Sequence, residues 1–368
     1  MGSTTKVCVV INSLGTGGAE NQIVNQVRNS EKINFTVVHF GVENLSKELR
    51  GAGASVQKFD ERIRFDPVAI YELSSFFVEN EFDIVHSHLA YAHTISRIAG
   101  LTAGLPVVST YHTRPTSRHP VTRYTEKLTR RFSSVNVAVS EGVRRSFTRS
   151  GMGQRDEWRV IYNGIDVESF STAVSLSNTQ NLYDNYSILS DSLTFLNVGR
   201  YVPGKSQKDI IHAFSKTDLP NSTLLLVGYG PLQNELREYA EDIGINDRVF
   251  ITGKINPESM PKYYAASDIF VSASQTEGLP ITLLEAMAAS LPIVGSDIPG
   301  INEMIIEGKN GFMFKHGNIH SLSQFMEQLA NQPDLRKKFG RAGNTIAHYR
   351  FDIDTMSSKY SDLYSKVI

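Results

Sequence analysis

One pattern constrains this chain more than any other. Short apolar runs alternate with helix-length stretches, and the alternation occurs twice. In the first half the runs are Lys6 to Asn12, Ile33 to Phe40, Ser55 to Phe59, Asp83 to His86, Pro106 to Thr110 and Val135 to Val139. A helical pattern begins at Ala19. Others cover Leu45 to Ala52, Pro67 to Asn80, Ala90 to Ala103, Val121 to Arg131 and Glu141 to Ser150. Runs this short and this apolar suit strands buried on both faces. Their alternation with helices predicts a doubly wound parallel α/β sheet.

A second series predicts strands at Leu193 to Val198, Thr223 to Val227, Val249 to Thr252, Ile269 to Ser272 and Ile293 to Gly295. The predicted helices are Gln207 to Phe214, Leu232 to Ile243, Ser259 to Ala265, Ile281 to Ala289 and Asn302 to Glu307, and helices alone from Ile319 onward. Between the series, Arg159 to Tyr162 runs into the turn Asn163-Gly164-Ile165-Asp166, and Ser171 to Asp191 is rich in Ser, Asn, Thr and Asp. That stretch reads as a linker. The expected fold is α/β, two Rossmann-like doubly wound domains facing a cleft. The N-terminal domain spans 1–172, the linker 173–191 and the C-terminal domain 192–350. A last helix over 351–368 crosses back to the N-terminal domain.

Composition narrows the function classes. At 368 residues the chain exceeds what one core usually serves. A net charge of -1 gives no general attraction to nucleic acid. The single cysteine, Cys8, lies in an apolar run and excludes an intramolecular disulfide framework and a multi-cysteine metal site. No apolar stretch approaches the roughly 18 residues of a membrane span, and no signal-peptide pattern opens the sequence. A cytoplasmic protein is expected. Gly2-Ser3 starts like a myristoylation signal, but Val7 is not the Ser or Thr needed nearby.

The chemistry concentrates at strand-to-helix junctions. Glu277 falls in the loop between a predicted strand and a helix with Pro280 in its first turn; Glu285 falls about two turns inside that helix. Ligands of open α/β sheets bind at the carboxyl ends of the strands, and helix N-termini favour anionic groups. Arg200 and Lys205 follow the first strand of the second half; they are either a grip for a diphosphate or two solvated loop cations. Gly228, Gly230 and Pro231 form a turn where backbone could approach a ligand. In the first half, Ser13-Leu-Gly-Thr-Gly17-Gly18 links a strand to a helix without dinucleotide-type spacing. His86 and His88 end one predicted strand and His112 follows the next. Residues there point toward the expected cleft, although a lone histidine is usually structural.

Taken together, Gly17-Gly-Ala-Glu20, Asn163-Gly-Ile-Asp166, Gly199-Arg200-x4-Lys205, Val227-Gly-x-Gly-Pro231 and Glu277-x7-Glu285 resemble, in order and spacing, the family 4 retaining glycosyltransferases of group 1 type. The resemblance runs from about Lys6 to Ile368 and is weakest over 171–191. It implies a GT-B fold and a nucleotide sugar, by family frequency a UDP-sugar, as co-substrate rather than cofactor. Glu285 would hold the ribose hydroxyls and Glu277 the donor sugar. Gly278, Leu279 and Ile281 would present N–H groups to sugar and diphosphate. Arg200 and Lys205 would stabilise the leaving diphosphate in place of a metal, and no Asp-x-Asp motif stands beside them. Gly17 and Gly18 match a loop close to donor phosphates and acceptor. His112 matches a histidine near the transferred sugar, with His88 and His86 as weaker acceptor-side candidates. Front-face attack assisted by the leaving phosphate is the favoured retaining route over a covalent intermediate on Glu277. One departure is Ser206, where the family often has Gly; another is Tyr229 inside the glycine turn.

The stretch Arg114 to Arg131 carries Arg114, Arg118, Arg123, Lys127, Arg130 and Arg131 against Glu126 alone. On a helix this makes a basic stripe, suited to an anionic membrane face or to the phosphate of a lipid-linked acceptor, or else a plain solvated surface. The expected function is transfer of a hexosyl or N-acetylhexosaminyl group to a glycan or lipid-linked acceptor in polysaccharide or cell-surface glycan synthesis. Alternatives are a transferase making a small soluble glycoconjugate, a nucleotide-sugar epimerase, and a sugar-binding receptor.

Overall fold

The computed structural model describes residues 4–30, 32–60, 66–115, 119–186 and 192–368. Arg118 of the basic stretch and the Gly2-Ser3 pair lie outside them. The chain divides into two compact units, Met1–Gly164 with Ile353–Ile368, and Ile165–Asp352.

The first unit holds β1 (Thr5–Ile11), α1 (Gly18–Arg28), β2 (Ile33–His39), α2 (Ser46–Gly51), β3 (Ser55–Lys58), α3 (Pro67–Glu79), β4 (Ile84–His88), α4 (Ala90–Ala103), β5 (Val107–Tyr111), α5 (Pro120–Thr129), β6 (Val135–Ala138), α6 (Glu141–Arg149) and β7 (Trp158–Val160). All seven strands pair in parallel in the order β3-β2-β1-β4-β5-β6-β7. The order reverses between β1 and β4, and such a switch point opens a crevice at the strand carboxyl ends. Helix starts follow local chemistry. Asp66 Oδ1 accepts from Val68 N at 2.9 Å before α3, and Ser140 Oγ accepts from Val143 N at 3.1 Å before α6.

The second unit opens with α7 (Val167–Ser175) and α8 (Gln180–Tyr186), continues with β8 (Leu193–Val198), α9 (Gln207–Ser215), β9 (Ser222–Val227), α10 (Gln233–Asp242), β10 (Val249–Ile251), α11 (Met260–Ala265), β11 (Ile269–Ser272), α12 (Ile281–Ala288), β12 (Ile293–Ser296) and β13 (Gly311–Phe314), and closes with α13 (Ile319–Ala330) and α14 (Pro333–Phe351). The sheet is parallel in the order β10-β9-β8-β11-β12-β13, with its switch point between β8 and β11. Phe195, Ile211, Phe214, Leu224, Leu226 and Val271 form the centre of its core.

Four features differ from the sequence reading, the first being that the 173–191 stretch read as a linker holds the end of α7 and all of α8 within the second unit. The division falls at Gly164, earlier than residue 172, because Asp166 caps α7 and Ser171 Oγ then donates to Ala288 O at 2.7 Å, tying α7 to α12. Asn302 to Glu307 forms turns rather than a helix. An extra strand, β13, extends the sheet.

The last helix, α15 (Ile353–Val367), belongs to the first unit. Its Ile353, Met356, Tyr360 and Leu363 pack with Val7, Val9 and Ile11 of β1 and with Ile23, Val24 and Val27 of α1. No helix among the described residues is long and apolar enough to cross a membrane.

Candidate active site

In the second unit the loops after β8 and β11 flank the switch point. The first carries Arg200 and Lys205, the second Glu277. Lys205 Nζ forms an ion pair with Glu277 Oε1, both side chains being largely buried. Two residues singled out separately in the sequence thus form one charge-neutral pair. Around it the backbone is clamped: Gln275 N donates to Gly204 O at 2.9 Å and Gln207 Nε2 to Arg200 O at 3.0 Å. The Arg200 side chain is exposed and makes no hydrogen bond or ion pair among the described residues.

The same loop leads into α12. Leu279 and Pro280 are buried, Gly278 and Ile281 partly so, and no side chain caps the helix N-terminus. Its first N–H groups are therefore available to an anion. Glu285, farther along α12, is partly accessible. Its Oε2 accepts from the Tyr264 hydroxyl at 2.7 Å. Burial pushes Glu285 up to about 7, and the Tyr264 hydrogen bond pulls the other way. Tyr264 is buried on α11 beneath Phe170 of α7, whose ring lies 5.4 Å from it edge-on.

The glycine turn after β9 packs closely against the loop after β8. A β-carbon on Gly228, which sits at φ +151°, would lie 1.9 Å from Gly199 O, and one on Gly230 would lie 2.4 Å from Tyr201 O. Tyr201 N donates to Tyr229 O at 2.9 Å across the same seam. The glycines let this turn press against the loop that carries Arg200; Pro231 beside them is exposed. Gly300, missed in the sequence, does similar work at φ +97°: a β-carbon there would lie 2.6 Å from Gly278 O. Its only sequence signal is the Pro299-Gly300 turn after β12.

In the first unit β4 and β5 bring the histidines together. His88 Nδ1 and His112 Nε2 are 2.9 Å apart. His88 is buried and its Nε2 has no hydrogen-bond partner among the described residues, whereas His112 is partly exposed. Burial, and then the neighbouring histidines, hold His88 well below the usual imidazole range, so it is neutral at pH 7.

His86 is corrected. It is fully buried, and both ring nitrogens are taken inside the protein. Nδ1 lies 2.6 Å from the Tyr364 hydroxyl and Nε2 2.8 Å from Thr110 Oγ1. Gln26 Nε2 also donates to the Tyr364 hydroxyl, at 2.8 Å. That hydroxyl therefore turns its one proton to His86 Nδ1, and His86 is a neutral structural imidazole with no reach to an acceptor. Gly17 caps α1 and Gly18 is its first residue; a β-carbon on Gly17 would strike Glu20 Oε2 at 2.4 Å.

The basic stripe holds a surprise. Arg130 turns inward to an ion pair with Glu157, leaving Arg123, Lys127 and Arg131 exposed. Helix α5 buries the polar Thr122, Glu126 and Thr129 and shows Val121, Tyr124 and Leu128 to solvent, at 56%, 65% and 53% exposure. Among the described residues no group of three or more His, Cys, Asp or Glu is arranged to hold a metal ion.

Comparison with known proteins adds the family context. Residues 16–169 match the family described as Glycosyltransferase Family 4, and residues 180–345 the family described as Glycosyl transferases group 1. The chain is 26% identical over 313 residues to UDP-Gal:alpha-D-GlcNAc-diphosphoundecaprenol alpha-1,3-galactosyltransferase of Escherichia coli, covering 82% of this chain and 79% of that protein. It is 26% identical over 299 residues to N-acetyl-alpha-D-glucosaminyl L-malate synthase of Bacillus anthracis, covering 78% and 75%. Among solved structures, Anabaena Alr3699/HepE in complex with UDP matches 98% of this chain and 100% of that chain, with TM-score 0.87 and 22% identity.

Proposed function

The chain belongs to the family 4, group 1 glycosyltransferases and has the GT-B fold, and from that premise we propose that it moves a sugar from a UDP-sugar to a glycan or lipid-linked acceptor with retention of configuration. The observation that carries the reading is the second unit's switch point. There the loops after β8 and β11 carry Arg200, the Lys205–Glu277 pair and the uncapped start of α12 at the carboxyl ends of the strands, with Glu285 farther along the same helix. Ribose hydroxyls would bind the Glu285 carboxylate, and the diphosphate would meet Arg200, Lys205 and the α12 N–H groups.

In the reaction the bond from anomeric carbon to diphosphate oxygen breaks, and the electron pair leaves with the diphosphate. The acceptor oxygen bonds to the anomeric carbon from the same face, and its proton passes to the departing phosphate oxygen. Charge grows on the diphosphate as this happens, so cations already in place lower the barrier. Glu277 is engaged by Lys205, which favours this front-face route over a covalent intermediate on Glu277. His112, steadied by neutral His88, would orient hydroxyls of sugar or acceptor.

The test is UDP release from a set of UDP-sugars, in EDTA, with product analysis. Release from at least one, undiminished by EDTA, is expected. No release from any would remove the UDP-sugar assignment, and activity that returns only with Mg²⁺ would remove the metal-independent one. A product isomerised but not transferred would indicate an epimerase.

The galactosyltransferase and the L-malate synthase named above take very different acceptors, and α5 favours the lipid-linked kind. A helix that buries threonines and shows Val121, Tyr124 and Leu128 among Arg123, Lys127 and Arg131 is suited to the interface of an anionic membrane, here the inner face. The protein should co-sediment with anionic but not neutral liposomes at low salt, and the bound fraction should fall as salt rises. Tyr124→Ser with Leu128→Ser should lower it further. Equal sedimentation with both vesicle types would leave the small soluble acceptor as the better reading.

A further inference from the structure

Ser206 follows Lys205 directly and adopts φ +50° and ψ +41°, a left-handed conformation that a residue with a β-carbon rarely takes. It stands at the N-cap of α9, where a serine hydroxyl normally accepts from its own helix, yet no side chain caps that helix. Its Oγ instead lies 3.3 Å from His316 Nε2. His316 comes from the tight turn between β13 and α13, which is held by Asn318 N donating to Lys315 O at 2.9 Å and by Asn318 Oδ1 accepting from Ser321 N at 3.1 Å. The side chain thus reaches Ser206 from a fixed platform that belongs to neither the β8 nor the β11 loop.

We propose that His316 is a positioning residue for the transfer reaction: by holding the Ser206 hydroxyl it keeps the left-handed turn that presents Lys205 to Glu277 and to the donor diphosphate. The inference rests on the donor-site reading above. Its physical logic is that a strained backbone conformation persists only where surrounding contacts over-determine it. The Gly204 and Arg200 carbonyls are already clamped by Gln275 and Gln207. On the residue next to Lys205, the Ser206 N–H donates to Pro203 O at 3.1 Å and its carbonyl accepts from Asp209 N at 3.0 Å, and the His316 contact adds the restraint on its side chain. Without it only the backbone bonds oppose the strain at Ser206, the turn loosens, and the Lys205 ammonium shifts. Small displacements of such a group are costly to turnover.

The test is a set of variants of the full chain, assayed for UDP release at saturating and limiting donor. His316→Ala is expected to lower kcat by about tenfold with little change in donor KM. Ser206→Ala keeps the β-carbon but loses the hydroxyl and should match it. His316→Gln keeps a hydrogen-bonding group and should restore most of the loss. In a Ser206→Gly background, where the left-handed turn is free of strain, His316→Ala should cost nothing further. Wild-type kcat in His316→Ala would overturn the inference. So would an equal loss in the Ser206→Gly background, which would mean that His316 acts on substrate directly. A wild-type protein that releases no UDP from any UDP-sugar would instead overturn the donor reading on which this rests.

Discussion

Lys205→Ala should lower turnover by on the order of 10²–10³, the usual cost of removing a group aimed at developing charge. Two effects add. The departing diphosphate loses its ammonium partner, and Glu277, whose side chain is only 12% exposed, is left as an unpaired buried carboxylate beside that diphosphate. The second effect acts on the bound donor as well as on the transition state, so donor KM should rise along with the fall in kcat. Glu277→Gln in the same chain should restore donor binding without restoring turnover. Lys205→Arg should recover only part of the rate, because a planar fork does not reproduce a compact point charge in a clamped loop. Steady-state UDP release at several donor concentrations separates these terms. Wild-type kcat in the alanine variant would remove Lys205 from the mechanism.

The parts of this site that sequence revealed are those set by strand ends. Short apolar runs and loop position suffice to put Arg200, Lys205 and Glu277 at carboxyl ends of strands, and the structure adds that two of them pair. What sequence did not reveal depends on which distant segment covers a given face. His86 and His88 share one face of β4 by alternation, and nothing local says that Tyr360 and Tyr364 of α15 lie over His86. Gly228 and Gly230 read as turn glycines, and nothing local says that Gly199 and Tyr201 press against them. The Asn302 to Glu307 stretch is apolar enough for a helix, yet Ile301 and Ile305 crowd the α-carbon of Gly295 within 3 Å of where a β-carbon would stand, and turns let them do so. β13 is four residues between glycine-rich turns, too short for periodicity to register. His316 and Tyr264 gave no signal at all, since each works through a residue more than 20 positions away.

Glu285→Gln should trade donor affinity for stability, and both halves have a sign fixed by the same environment. An ionised Glu285 can accept from ribose hydroxyls while Oε2 keeps its bond from Tyr264. Hydrogen bonds to a charged acceptor are typically worth about 1.5–3 kcal/mol, so the glutamine should weaken donor binding by roughly 10- to 100-fold. Burial pushes the carboxyl up to about 7. The ionised, donor-competent form is therefore lost as pH falls through that value. Donor KM of the wild type should rise from pH 8 to pH 6, and that of Glu285→Gln should stay flat. Tyr264→Phe removes the bond that favours ionisation, so it should move the wild-type midpoint upward. For the free protein the linkage runs in the opposite direction to affinity. Folded Glu285 holds its proton up to about 7, whereas its ordinary value is 4.5. Its contribution to stability is complete below 4.5 and is lost as pH rises through 7. At pH 8 the glutamine variant should be the more stable, by on the order of 1–3 kcal/mol, and at pH 4 the two should melt together. Thermal melts of both proteins across that range, with and without UDP, decide the matter. A partly buried carboxylate that costs the fold stability at pH 8, in a protein that UDP stabilises far more as wild type than as the glutamine variant, is held there for the ligand. If the wild type is the more stable at pH 8 without UDP, Glu285 serves the fold and the ribose assignment fails.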